Sequence, residues 1–147
     1  MKEININDLK ISPSDLIGNK WMLITAGSKD DFNTMTAGWG EIGSIWGHGA
    51  SGRATATIFV RPSRYTDKYI DSNETFSLCF FDEQYKQDLG YLGSHSGRDE
   101  NKIEKTKLHP IFIDEVPCFK EANLILICKK IYKDKLKEEC FIDKSIL

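Results

Sequence analysis

The stretch IFVRPSRYTDKYI, residues 58–70, joins a strand pattern to a helix pattern through Arg61-Pro62-Ser63-Arg64. Upstream, Arg53 to Val60 alternates small and apolar residues, which predicts a strand. Pro62 fixes its own φ and lacks an N–H, so strand pairing ends there. Downstream, Arg64 to Ser72 fits a short helix with Thr66 as its N-cap and Asp67 in its first turn. Arg61 and Arg64 therefore flank the strand exit, beside a helix start with free backbone N–H groups and the positive end of the dipole. Ser63, Tyr65 and Thr66 add hydroxyls. Such a set suits a phosphate group. The same residues also read as a pair of solvated surface charges.

Two other segments bear on that choice. Ser96-Gly97-Arg98-Asp99, with Lys102 a turn later, supplies a hydroxyl, a permissive glycine and two further cations. A phosphate carries about two charges, so several donors must meet it. Asn33-Thr34-Met35-Thr36-Ala37-Gly38-Trp39-Gly40 offers short hydroxyls and close backbone approach beside an indole. A flat aromatic ligand can lie against such backbone with its polar edge bonded to amides. A β-bend with a buried Trp is the alternative reading.

Around these segments the pattern is mainly β with short helices. Trp21 to Ser28 and Thr75 to Phe81 read as strands, the second with Phe76, Leu78 and Phe80 on one face. Asn33 to Gly52 is glycine-rich. Glu83 to Leu92 reads as a helix stopped by Gly93, and Gly93 to Lys107 as a polar loop. Ile111 to Val116 is a short strand. Glu121 to Tyr132 is apolar on both alternations at its centre, which predicts a central strand buried on both sides. Phe141 and Ile142 are strand-like. Several short strands with small helices suggest a barrel with excursions, in one domain over residues 1–147.

The composition excludes several classes. Of 147 residues 40% are hydrophobic and 29% charged, an ordinary balance for a globular chain. The formal net charge of −2 gives none of the basic excess that nucleic-acid backbones require. No apolar run is long enough for a membrane-spanning helix, and MKEININDLK is too polar for a signal peptide, so the expected location is cytoplasmic. Cys79, Cys118, Cys128 and Cys140 form no Cys-x-x-Cys pair and no zinc spacing with His48, His95 or His109. They read as reduced thiols used mostly as small apolar fillers, and no metal site is expected.

Gly38-Trp39-Gly40-Glu41-Ile42-Gly43 matches the dinucleotide pattern G-x-G-x-x-G, but Ser44-Ile45-Trp46-Gly47 is poor material for the helix that pattern needs. Gly93-Ser94-His95-Ser96-Gly97 carries His where a hydrolase elbow needs Ser.

Four motifs occur in order: N-T-M-T-A-G-W-G from Asn33, V-R-P-S-R-Y-T from Val60, F-S-L-C-F-F from Phe76, and L-G-Y-L-G-S-H-S-G-R-D-x-x-K from Leu89. Together they resemble the flavin reductase-like proteins of the FMN-binding split-barrel fold, flavoredoxin among them, from about Leu16 onward. The resemblance implies a six-stranded antiparallel split barrel and a homodimer with FMN at its interface. It also implies hydride transfer from NADH or NADPH to the flavin, and onward transfer to free flavin, iron, a small redox protein or an oxygenase partner. Carried onto this chain, Asn33, Thr34, Met35 and Thr36 would line the isoalloxazine. Arg61, Ser63, Arg64, Tyr65 and Thr66 would hold the phosphate and ribityl chain, and Ser96, Gly97, Arg98 and Lys102 would close that end. Trp46, like Trp39, would either wall the flavin or belong to the core. Chains of the family usually run further, through one more loop and a last strand. Either this sequence is a fragment or its barrel closes differently. An FMN-binding electron carrier without a nicotinamide site, and a flavin-free binding protein on the same barrel, are the alternative functions.

Overall fold

The computed structural model describes residues 1–49 and 51–147. Its framework is a four-stranded antiparallel sheet in the order β2-β1-β5-β8. These strands are β1 (Met22–Gly27), β2 (Phe32–Ala37), β5 (Thr75–Phe80) and β8 (Leu124–Lys129). Two antiparallel ribbons accompany it: β3 (Gly40–Ile45) with β4 (Arg53–Ile58), and β6 (Pro110–Ile113) with β7 (Val116–Phe119). Helix α1 (Thr66–Ser72) follows β4, and α2 (Lys86–Ser94) follows β5.

The strand period divides the core into two layers. Met22, Ile24 and Ala26 of β1 share one cluster with Phe76, Leu78 and Phe80 of β5 and with Met35 and Ala37 of β2. The α1 residues Tyr69 and Ile70 cover this face, with Ile42 and Ile58 of the β3–β4 ribbon packed against it. Leu23 and Cys79 point the other way, into a second cluster with Leu89 and Leu92 of α2 and Cys118 and Phe119 of β7. Across that face the Ser77 hydroxyl donates to the Pro117 carbonyl at 2.6 Å, tying β5 to the β6–β7 ribbon. Gly40 is required where the chain bends from β2 into β3, because a Cβ there would lie 2.9 Å from Met22 Cε and 3.0 Å from the Thr57 carbonyl. The glycines that match the dinucleotide pattern thus serve a strand bend, with no helix opening at them.

Several expectations are corrected. The Glu121 to Tyr132 segment contributes side chains to both layers, yet β8 is the sheet's edge strand and Ile127 is exposed. The central strands are β1, buried along its whole length, and β5. The expected single strand over Ile111 to Val116 is a hairpin. Asp114 (φ 48°) and Glu115 (φ 65°) make the two-residue turn with both centres left-handed, the geometry that suits hairpin twist. The Glu83 helix begins as a 3₁₀ turn over Glu83–Tyr85 and continues as α2 through Gly93 to Ser94. Lys102–Lys105 is a 3₁₀ turn inside the expected loop. Phe141 and Ile142 follow a 3₁₀ turn and join no strand. Among the described residues there are eight strands: six in the four-stranded sheet and the β3–β4 ribbon, and two more in the β6–β7 hairpin. Cys79 and Cys118 are buried fillers and Cys128 is half-buried, but Cys140 is exposed. Among the described residues no helix is long and apolar enough to cross a membrane.

Candidate functional site

Residues 61–64 form a β-turn, closed by the Arg64 N–H on the Arg61 carbonyl at 2.9 Å, with Pro62 at the position where its fixed φ is favoured. The turn sends its two arginines in different directions. Arg61 stays exposed, with its guanidinium 4.9 Å from the centre of the Trp39 ring. Arg64 is half-buried, and its Nη1 donates to the Gly93 carbonyl at 2.9 Å. Because the turn leads straight into α1, Tyr65 takes the cap position in a helical conformation and makes no side-chain cap bond. Thr66, the expected N-cap, is the first helical residue instead. Its buried hydroxyl accepts from Asn33 Nδ2 at 2.9 Å.

That bond brings β2 to the start of α1, and the 95–99 segment closes on the same point. A Cβ on Gly97 would lie 2.3 Å from Asn33 Oδ1 and 3.3 Å from Tyr65 Cδ1, so the segment passes directly over both residues. Arg98 next to it donates from Nη1 to the Ser63 carbonyl at 3.2 Å, with its guanidinium 4.9 Å from the Tyr65 ring centre. The Ser96 hydroxyl accepts the Arg98 N–H at 3.1 Å. Lys102 is buried behind this segment, its ammonium donating to the carbonyls of Leu92 at 2.7 Å and His95 at 3.0 Å. Burial pushes that ammonium down to about 8; Arg64 adds to the shift and Glu100 opposes it.

The cations here are held by neutral groups. Arg64, Arg98 and Lys102 all donate to backbone carbonyls, and Arg61 lies on an indole. Among the described residues none of these four pairs with a carboxylate. Arg64 stands close enough to Lys102 to disfavour its charge. The cluster concentrates positive charge, with the Ser96 hydroxyl beside Arg98 and Glu100 near Lys102, and an anion is its chemical complement.

The other sequence candidates lie differently. The Thr34 hydroxyl is fully buried, 2.8 Å from that of Thr25, and donates to the Ile24 carbonyl at 3.3 Å. Met35 is in the core. Thr36 donates to the Leu89 carbonyl of α2 at 2.6 Å. Thr34 and Met35 are buried and Thr36 is half-buried, on a strand that is one edge of the four-stranded sheet. Trp46 is apart from the cluster. It lies just beyond β3 with φ 53° and packs edge-on against Tyr132, ring centres 5.5 Å apart. Trp39 is 60% and Trp46 55% exposed, so neither is a core residue and the bend after β2 does not bury its Trp.

Sequence reasoning missed Lys68, whose ammonium bonds the Tyr65 hydroxyl at 2.6 Å and holds that phenol below the usual tyrosine range. The i, i+3 spacing within α1 was the available signal. It also missed Tyr69, which donates to Asp31 Oδ1 at 2.7 Å; burial raises it, with Tyr65 and Asp31 adding to the effect. A cleft of about 540 Å³ runs along the β3–β4 ribbon past Glu41, Ile42 and Thr55, and no arginine lines it. None of the four cations lines that cleft, so chemistry rather than concavity marks the cluster.

No family model matches the chain, and no curated protein matches it. Solved structures do. The flavoredoxin of Methanosarcina acetivorans superposes with a TM-score of 0.66 at 23% identity, over 92% of this chain and 68% of that one. The FMN-binding domain of a flavin reductases-like enzyme from Shewanella baltica OS155 gives 0.67 at 20% identity, over 82% of this chain and 62% of that one. The chain has the flavin reductase-like split-barrel fold. A further split barrel, the flavoredoxin of Desulfovibrio vulgaris (Miyazaki F), matches at 0.63 with 21% identity, over 97% of this chain and 80% of that one. The chain spans less than two thirds of the Shewanella protein's length.

The contact between Gly97 and Asn33 yields a prediction. Gly97→Ala must push the segment off Asn33 and Tyr65, and is expected to cost about 1–3 kcal/mol. Gly90→Ala in α2, where nothing lies within 4 Å of the added carbon, should stabilise by about 0.5–1 kcal/mol. Urea unfolding of the two variants measures both, and a neutral Gly97→Ala would mean that the segment is not seated on Asn33.

Proposed function

We propose that this protein binds FMN and works as an oxidoreductase that uses NADH or NADPH to reduce an acceptor. Free flavin, iron, a small redox protein or an oxygenase partner are the acceptors this reading covers. The observation that carries it is Arg64, Arg98 and Lys102 gathered about the 95–99 segment and the start of α1, with Arg61 on the outer side of the same turn, each held by neutral groups and, among the described residues, none paired with a carboxylate. The split-barrel neighbours described as FMN-binding and as flavoredoxins support the choice of ligand.

The residues present fit the group. Arg64 and Arg98 would hold the phosphate, with the Ser63 and Ser96 hydroxyls completing its shell and Arg61 supplying charge from the outer side. Each guanidinium commits one Nη1 contact to a carbonyl and keeps further N–H groups to donate. The Asn33–Thr66 bond fixes β2 against α1, so the backbone edge of β2 stands in one position beside the anion site. When bound, FMN would supply the hydride and electron chemistry, and the protein would supply position and electrostatics. Trp39 and Trp46 lie exposed on a glycine-rich segment, and a second copy of the chain would cover them. The homodimer belongs to the same proposal.

Arg98 is the cleaner arginine to remove, because Arg64 also holds the end of α2. A charge-assisted hydrogen bond contributes about 1.5–3 kcal/mol. Arg98→Ala should therefore weaken FMN binding by roughly ten- to a hundredfold, while riboflavin, which lacks the phosphate, changes little. Equal losses for both flavins, or none, would remove Arg98 from the phosphate site. Reduction is tested on the FMN-loaded protein under anaerobic conditions. Loss of the oxidised flavin colour on adding NADH or NADPH, with no helper protein, is expected. Colour that persists would point to a carrier, and a wild-type chain that takes up no flavin would refute the reading.

The oligomer is tested by sedimentation at micromolar concentration. A species of twice the chain mass is expected; a monomer with or without FMN would contradict the dimer.

A further inference from the structure

The segment from His95 to Asp99 has few bonds of its own. The His95 N–H reaches back to the Tyr91 carbonyl at 3.1 Å, the Asp99 N–H closes a turn on the Ser96 carbonyl at 3.1 Å, and the Arg98 N–H meets the Ser96 hydroxyl at 3.1 Å. The His95 ring adds to the first of these, its Nδ1 lying 3.1 Å from the Tyr91 carbonyl and its plane stacked on Tyr91 at 3.8 Å, so the head of the segment is tied to α2 from its exposed side. Lys102 holds it from the buried side. Its ammonium is buried, at 4% residue exposure, and bridges the Leu92 carbonyl inside α2 and the His95 carbonyl at the head of the segment. A helix end leaves its last carbonyls without intrahelical partners, and a cation there completes them. Arg64 takes the carbonyl in between, that of Gly93. The two cations thus divide one helix end, Arg64 approaching from the 61–64 turn and Lys102 from behind the segment.

We propose that Lys102 is a positioning residue for the anion site: through the His95 carbonyl it holds Ser96, Gly97 and Arg98 in the shape that meets the phosphate, without touching the ligand itself. Two of its three N–H donors are already committed to carbonyls, and its side chain is enclosed. The identity of the ligand rests on the FMN reading above, whereas the hold on the segment does not.

The test uses Lys102→Met, which keeps the chain's bulk and removes the donors. In the flavin-free protein, amide hydrogen exchange at His95, Arg98 and Asp99 should become at least about tenfold faster, with the β1 and β5 amides unchanged. FMN affinity should fall by at least about tenfold and riboflavin affinity by much less, since the phosphate contacts are what the segment presents. Unchanged exchange with weakened FMN binding would make Lys102 a direct ligand and overturn the proposal. Equal loss of both flavins would make its role a general structural one and overturn it too. If Lys102→Met does not fold, Lys102→Gln is measured in the same way and judged by the same outcomes. A wild-type protein that takes up no FMN would refute the ligand reading, and the exchange result would still decide whether Lys102 holds the segment.

Discussion

One buried amide holds the site together. Asn33 leaves β2 with its Nδ2 donating to Thr66 at the start of α1, and with its Oδ1 so close under Gly97 that no side chain fits between them. Three segments remote in sequence meet on this side chain. An unpaired buried amide would cost about 1–3 kcal/mol, so neither helix nor loop can leave without a penalty. Among the described residues no buried side-chain polar atom lacks a partner, and this junction shares in that economy. The start of α1, the 95–99 segment and β2 are brought to one point by this contact.

The charges then follow from where those segments end. The last turn of α2 presents its carbonyls to Arg64 and Lys102, while Arg98 finds the Ser63 carbonyl across the gap. Carbonyls orient cations without cancelling them. The result is a set of fixed positive groups; burial chiefly, with repulsion from Arg64 adding and Glu100 opposing, lowers the affinity of Lys102 for its proton. A bound anion would relieve that repulsion, and donors already held in place lose less freedom when they meet it. A surface salt bridge could have neutralised any of these groups. That none does so among the described residues distinguishes the cluster from an ordinary charged surface.

Much of this was legible in the sequence, for identifiable reasons. The alternation Phe76, Leu78, Phe80 marked β5 because strand faces repeat every second residue. Pro62, Gly97 and the arginines were conspicuous because few other settings need those residues so closely spaced. What failed was information that only packing contains. Leu124 to Cys128 is apolar on both faces, and such a run is the same whether the strand is central or an edge covered on both sides; β8 is an edge. The turn at Asp114-Glu115 lacks the glycine that announces left-handed geometry, so one strand was expected where a hairpin stands. Thr66 suited an N-cap, but a preceding turn already in helical conformation left its hydroxyl for Asn33. Lys102 was expected as a cation closing the phosphate end; its burial was not legible, because it depends on α2 ending directly above it.

Arg64 and Arg98, beside Asn33 and the start of α1, are the proposed phosphate ligands. A crystal structure of the protein grown with FMN tests this assignment most directly. The account predicts the phosphate in hydrogen-bonding contact with the guanidinium groups of Arg64 and Arg98 and with the Ser96 hydroxyl, and the ring system lying along β2. It also predicts that Lys102 keeps its bonds to Leu92 and His95. A phosphate bound elsewhere, for example in the cleft along the β3–β4 ribbon, or a flavin whose ring avoids β2, would contradict it.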